Sequence, residues 1–257
     1  MGIENIKHIN ADIDKAIYKT ETIWSRSDDK TGAPGPKKLI GGNMQAGFFG
    51  EVPTIDLISG TELYRKLDLT EGITCYQGEP WLKFAYLGKI EFISKKPIRH
   101  SISKDHLLYK KIVYGETQVE IRGKKYKVRL IKGKKDNLTY EEQSVIEGEI
   151  NWNSEWNKLI LPIHSNAPSF WKYKGNVNSP TENWRIGYTD KDLLTHESFG
   201  SGAYTLCQEP GEDNGRTFVR GRLGASFSTS GLTDSDSSNY GWRPVLELVE
   251  EVWDGRK

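Results

Sequence analysis

Two stretches of this chain read as hairpins from their apolar and polar positions alone. WLKFAYLGKIEFIS (81–94) places a turn near Leu87 and Gly88 and leaves Phe84, Ile90 and Phe92 available to a core. In TQVEIRGKKYKVRLIKG (117–133), Val119 and Ile121 and then Tyr126, Val128 and Leu130 alternate with polar residues. That alternation puts Lys125, Lys127 and Arg129 together on the opposite face. Short helices are expected between the strands. Thr61 is positioned to cap ELYRKL, Ser103 to cap KDHLLYKKIV, and Ser154 to cap a helix whose Trp156, Leu159 and Ile160 share one apolar face. Thr189 is positioned to cap a short turn over TDKDLLT. Two apolar strand-like runs near the end, RTFVRG and GWRPVLELV, flank a stretch rich in Ser, Gly, Asp and Asn that is expected to be a surface loop.

Residues 1–38 differ in pattern from the rest of the chain. Ile13, Ala16 and Ile17 give a weak helical spacing, and SDDKTGAPGPKK then supplies two prolines and two glycines. A short helix or extended arm followed by a linker is expected, with a frayed terminus and an arm docked on a neighbouring subunit both open. Residues 39–80 form a Gly/Phe-rich lead-in; GGNMQAGFFG lacks the GK[ST] ending of a phosphate loop. Residues 81–257 carry the principal domain. Within its loop-rich 161–189 stretch, Trp184 and Ile186 read as core plugs, whereas Trp171 and Tyr173 suit either a plug or a binding surface.

Composition narrows the function classes. In 257 residues, 36 basic and 35 acidic side chains leave no global field to steer the chain toward nucleic acid or an anionic membrane. The local exception, 121–135, holds eight basic residues and no acid, but Tyr126 alternates away from the charges. A solvated strand face is therefore expected there rather than a nucleic-acid groove. Eight Trp and twelve Tyr beside 26 Gly and 10 Pro suit short strands and many loops. Cys75 and Cys207 lack metal-ligand spacing and read as two unpaired thiols, and the five histidines are isolated, so no metal and no cofactor are expected. Asp234 and Asp236 have no bidentate Glu in register for a calcium cage. Glu209, Glu212 and Asp213 lie in QEPGEDNG, which reads as a turn. No apolar stretch is long enough for a membrane span, and no signal peptide is expected.

The order KIEFISKKPIRHSISKDHLLYK, YKVRL, SEWNKLI, RTFVRGRLGASFS, YGWRPVLEL resembles the formylglycine-generating-type branch of the C-type-lectin-like fold. Arg129 and Leu130, with Glu155 and Trp156, resemble the two halves of that branch's RLPTEAEWEYA stretch, parted by an insertion. Arg220-Gly221 resembles its RGGSW stretch, and Gly241-Trp242-Arg243 its closing GFRxV strand. The likeness spans roughly 80–250 and rests on the order of its motifs. It implies an α+β, C-type-lectin-like domain with short strands, two or three short helices and long loops behind an N-terminal arm. It also implies that Arg243 ties the loops from beneath while Trp242 and Val245 enter the core. Enzymes of the branch use paired cysteines late in the domain; Cys207 stands alone there, which argues against copper- or thiol-based oxidation.

A second likeness covers most of the chain. GGNMQAGFFGEVP, EPWLKFAYLGKIEFISKKPI, GKKYKVRLIKG, EWNKLILPIH and YGWRPVLEL resemble segments of tail and adhesin-type virion proteins of tailed bacteriophages. It implies a non-enzymatic virion component, assembled in the host cytoplasm as a homo-oligomer, that binds a host-surface glycan or protein or neighbouring virion proteins. The ligand-binding positions it implies are Arg222, Ser226, Ser228, Thr229, Ser230, Asp234, Asp236, Asn239 and Tyr240, with Trp171 and Tyr173 beside them. The alternatives are a tail-associated glycan-degrading enzyme or a polyanion-binding module.

Overall fold

The computed structural model describes residues 28–134, 154–165, 183–195, 201–211, 215–225 and 227–249. The helix or arm expected within residues 1–27 lies outside them. Among the described residues, two sheets form a mixed α+β fold. The first orders its seven strands β1 (Gly41–Gly42), β2 (Ala46–Val52), β4 (Trp81–Tyr86), β5 (Lys89–Ser94), β13 (Val245–Leu248), β8 (Lys124–Arg129), β7 (Gln118–Ile121), and every neighbouring pair is antiparallel. The second orders its six as β11 (Ser228–Leu232), β10 (Arg216–Gly221), β9 (Tyr204–Pro210), β12 (Tyr240–Trp242), β6 (Arg99–His100), β3 (Ile73–Thr74). Its one parallel pair is β9 with β12. Neither sheet closes into a barrel.

Both expected hairpins form, and their turns explain why. Leu87 and Gly88 have φ of 49° and 81°, and Arg122 and Gly123 have φ of 50° and 76°. Two successive residues of that hand make the two-residue turn whose twist matches the flanking strands. The register agrees, with Tyr86 opposite Lys89 and Ile121 opposite Lys124. Alternation then divides the core. Ile90, Phe92, Tyr126, Val128 and Leu246 face one apolar cluster, while Leu82, Phe84, Ile93 and Val245 face another on the far side of the sheet.

Among the described residues, four short helices close these clusters: α1 (Gly60–Lys66), α2 (Lys104–Tyr109), α3 (Glu155–Ile163) and α4 (Asp190–Leu193). Ser103 and Ser154 cap α2 and α3 by accepting the His106 and Asn157 amides at 3.1 and 3.2 Å, and Thr189 heads α4 by donating its amide and its hydroxyl to Asp192 Oδ2, each at 2.7 Å. The cap of α1 is Ser59, not Thr61. Ser59 accepts the Glu62 amide at 3.2 Å while Glu62 takes the Ser59 amide at 3.1 Å, a box that needs Glu three residues after the hydroxyl. On α3, Trp156, Leu159 and Ile160 are all fully buried against the second cluster.

The lead-in and the Pro/Gly run before it join this framework. β2 pairs with β4, and residues 28–38 are tied down by Lys83. Its ammonium, wholly buried, donates to Asp29 at 2.7 Å and to the Pro34 and Pro36 carbonyls at 2.9 and 2.8 Å. The stretch expected to be one surface loop before β12 is different in kind: β11 pairs with β10 over five residues. Its Ser and Thr side chains hide a strand made by backbone pairing at a sheet edge. That edge curls back over the sheet, since a Cβ on Gly231 would meet the Tyr240 hydroxyl oxygen at 2.4 Å although three strand positions separate them.

Candidate functional site

The motif residues converge on one buried indole. Arg129 ends β8 and Glu155 begins α3, and the insertion between them is bridged by a two-pronged ion pair at 2.8 and 2.9 Å. Glu91 on β5 and Glu247 on β13 meet the same guanidinium at 2.6 and 3.3 Å. Arg129 is therefore buried, whereas Lys125 and Lys127 on the same strand face stay solvated or half-buried. The solvated-face expectation fails at Arg129 because three carboxylates gather over that end of the strand. Burial alone would pull the Arg129 guanidinium down, but Glu155 and Glu91 hold it well above its ordinary value. Burial, with Glu155 beside it, outweighs Arg129 at Glu91 and pushes that carboxyl well above the usual range.

Trp156 is the next residue along. Its indole N–H donates to the Ala225 carbonyl at 2.7 Å, and the Arg220 and Arg243 guanidinium carbons lie 5.6 and 5.2 Å from its ring centre. Arg243 donates to the Ser94 carbonyl at 2.7 Å and to that of Lys95, tying the end of β5 from below. Leu130, Trp242 and Val245 are completely buried. Gly241 is required by close approach: a Cβ there would lie 2.7 Å from the Gly202 carbonyl oxygen.

On the opposite face of the six-stranded sheet from Arg220 lies a half-exposed aromatic patch. The side chains of Tyr204, Thr229 and Tyr240 share the sheet face of Val219, Leu206 and Trp242 by register. The rings of Phe227 and Tyr240 sit 6.5 and 5.9 Å from that of Tyr204. Arg222, at φ 70°, lies over the Tyr204 ring at 5.1 Å and donates to its hydroxyl oxygen. Tyr240 Oη accepts the Leu232 amide at 3.2 Å, which fixes its ring. The patch thus offers ring faces and a guanidinium held by short contacts, an arrangement suited to stacking on a flat or carbohydrate ligand and to pairing with an anionic group.

The expected binding residues are therefore only partly brought together. Arg222, Thr229 and Tyr240 belong to the patch. Ser228 and Ser230 alternate to the other face, opposite Arg220 and Phe218. Asp234 and Asp236 are exposed, and Asn239 donates its amides to Ser237 within its own turn. Ser226, Trp171 and Tyr173 lie outside the described residues, as do Glu212 and Asp213. Sequence reasoning misses Tyr204 and Phe227. Their only signals are the place of Tyr204 two residues before the core Leu206, and the single ring within ASFSTS. Trp184 and Ile186 pack against the second cluster as plugs.

Neither thiol is set up for chemistry. Both are free; burial pushes half-buried Cys75 up to about 12 and raises buried Cys207 well above its ordinary value. Glu209 is likewise raised by burial, with one carboxyl oxygen accepting the Gly133 amide at 2.9 Å. Among the described residues no three His, Cys, Asp or Glu side chains are grouped to hold a metal ion, and no helix is long and apolar enough to cross a membrane. Comparisons with protein-family models, with curated proteins and with solved structures find no match to this chain.

Proposed function

We propose that this protein is a non-enzymatic virion structural protein of a tailed bacteriophage, a tail or appendage component whose C-type-lectin-like domain binds a receptor on the host surface. The observation that carries the binding role is the Tyr204–Arg222–Phe227–Tyr240 patch: three rings and a guanidinium, half-exposed, with Tyr204 and Tyr240 on central strands packed against a buried apolar cluster. Rigid aromatic faces give contact area at low entropic cost, and neighbouring hydroxyls and amides supply adaptable hydrogen bonds. The lectin-like assignment is supported by the meeting of the four motif segments around Trp156. The virion setting is supported by the resemblance of GGNMQAGFFGEVP, GKKYKVRLIKG and their companion segments to tail and adhesin-type proteins. In this reading the protein acts as a homo-oligomer on the particle, which multiplies a weak single-site affinity.

The test is adsorption of the purified protein to whole host cells. Beside it runs a version in which Phe227 and residues 233–239 are exchanged for Gly and Ser, leaving β11 and β12 in place. Binding by the native protein and none by the folded exchange version is expected. If neither binds while both form the same oligomer, the domain serves particle architecture and receptor recognition is lost from the account.

A further inference from the structure

The connection between β10 and β11, residues 222–227, carries the two patch residues that lie outside strands, Arg222 and Phe227. It is entered through two successive left-handed residues, Gly221 at φ 90° and Arg222 at φ 70°. A non-glycine residue persists in that conformation only where its surroundings hold it. The Phe227 amide donates to the Gly224 carbonyl and the Gly221 amide to the Phe227 carbonyl, both at 3.0 Å. Those two bonds close the turn but reach no element beyond β10.

The hold from outside is at Ala225, whose backbone is gripped twice. Its carbonyl takes the Trp156 indole N–H at 2.7 Å, and its amide donates to Oδ1 of Asp190, the first residue of α4, at 2.8 Å. His164 Nε2 lies 3.2 Å from the same oxygen. The His164 contact, with the Ala225 amide, outweighs partial burial and holds the Asp190 carboxyl below its ordinary value, so an ionised oxygen faces the amide at neutral pH. Ala225 packs in the cluster of Trp156, Leu193 and Leu194, whereas Arg222 and Phe227 meet the Tyr204 ring on the other face of the sheet. We propose that Asp190 is the positioning residue of the patch: by holding the Ala225 amide it sets where Arg222 and Phe227 stand against Tyr204. That this placement serves ligand binding rests on the receptor reading above; the placement itself does not.

The test is made on the full chain, by NMR cross-peaks between the Phe227 and Tyr204 ring protons and by adsorption to whole host cells. Asp190→Ala is expected to lose the cross-peaks and to bind cells about 10-fold more weakly. Asp190→Asn keeps an oxygen for the amide and is expected to retain both. A role confined to the charge at the start of α4 would make the two variants alike, and that result would overturn the proposal. If Asp190→Ala does not fold, Asp190→Glu takes its place; it keeps the charge but moves the oxygens by one methylene, and weakened cross-peaks are expected. Native cross-peaks in the Ala variant, or in the Glu variant standing in for it, would overturn the proposal as well. Failure of the native chain to adsorb, with cross-peaks that still follow Asp190, would strike receptor binding and leave the clamp standing.

Discussion

On the seven-stranded sheet Arg129 is enclosed by three glutamate side chains, whereas beside the six-stranded sheet Arg222 lies half-exposed across the ring of Tyr204. The same side chain does two jobs. Enclosed and forked, it locks β5, β8, β13 and α3 into one frame; laid over a ring at the surface, it stacks on Tyr204 and donates to its hydroxyl oxygen. The difference teaches that the frame can be disturbed without touching the patch's chemistry, and the patch without touching the frame.

The largest break is Glu155→Ala. It removes the two-pronged partner of a buried guanidinium and leaves it only Glu91 and Glu247, and a loss of about 3–5 kcal/mol in unfolding free energy is expected by chemical denaturation. Next comes Gly231→Ala, which forces a methyl into the Tyr240 ring that lies against β11. A cost of about 1–3 kcal/mol is expected, together with weaker cell binding, because this glycine links the edge strand to the patch.

Glu91→Gln sharpens the frame side. Folded Glu91 keeps a proton that the unfolded chain releases above its ordinary value of 4.5, so unfolding releases a proton and stability falls as pH climbs from there to the raised folded value. The substitution is expected to flatten that fall and to leave the protein as stable as the native chain, or more so, at pH 8. Thermal melts from pH 5 to pH 8 check this; an unchanged slope would show that Glu91 is ionised in the fold.

The two regions are unequally legible in the sequence. The frame announces itself, because positive-φ turns carry Gly at Gly88 and Gly123 and alternation decides which residues enter the core. The Arg129–Glu155 contact is legible as two motif halves despite the residues between them. The cap of α1 is easily misplaced since Ser59 and Thr61 both carry hydroxyls; only the spacing to Glu62 separates them. β11 is illegible for a physical reason: an edge strand half open to water needs no apolar side chains, and its pairing is a backbone property. The docking of residues 28–38 through Lys83 is hidden as well, because a lysine in an alternating strand reads as solvent-facing until Asp29 is found beside it.

The smallest structural effect and the most direct test coincide in Arg222→Ala combined with Phe227→Ala, with cell-binding affinity and unfolding free energy measured on the same preparation. Both side chains are half-exposed, so stability is expected to stay within about 0.5 kcal/mol of native. Affinity is expected to fall about 30-fold, the equivalent of about 2 kcal/mol. Undiminished binding by the folded double variant would contradict the account, because it would place recognition away from the patch.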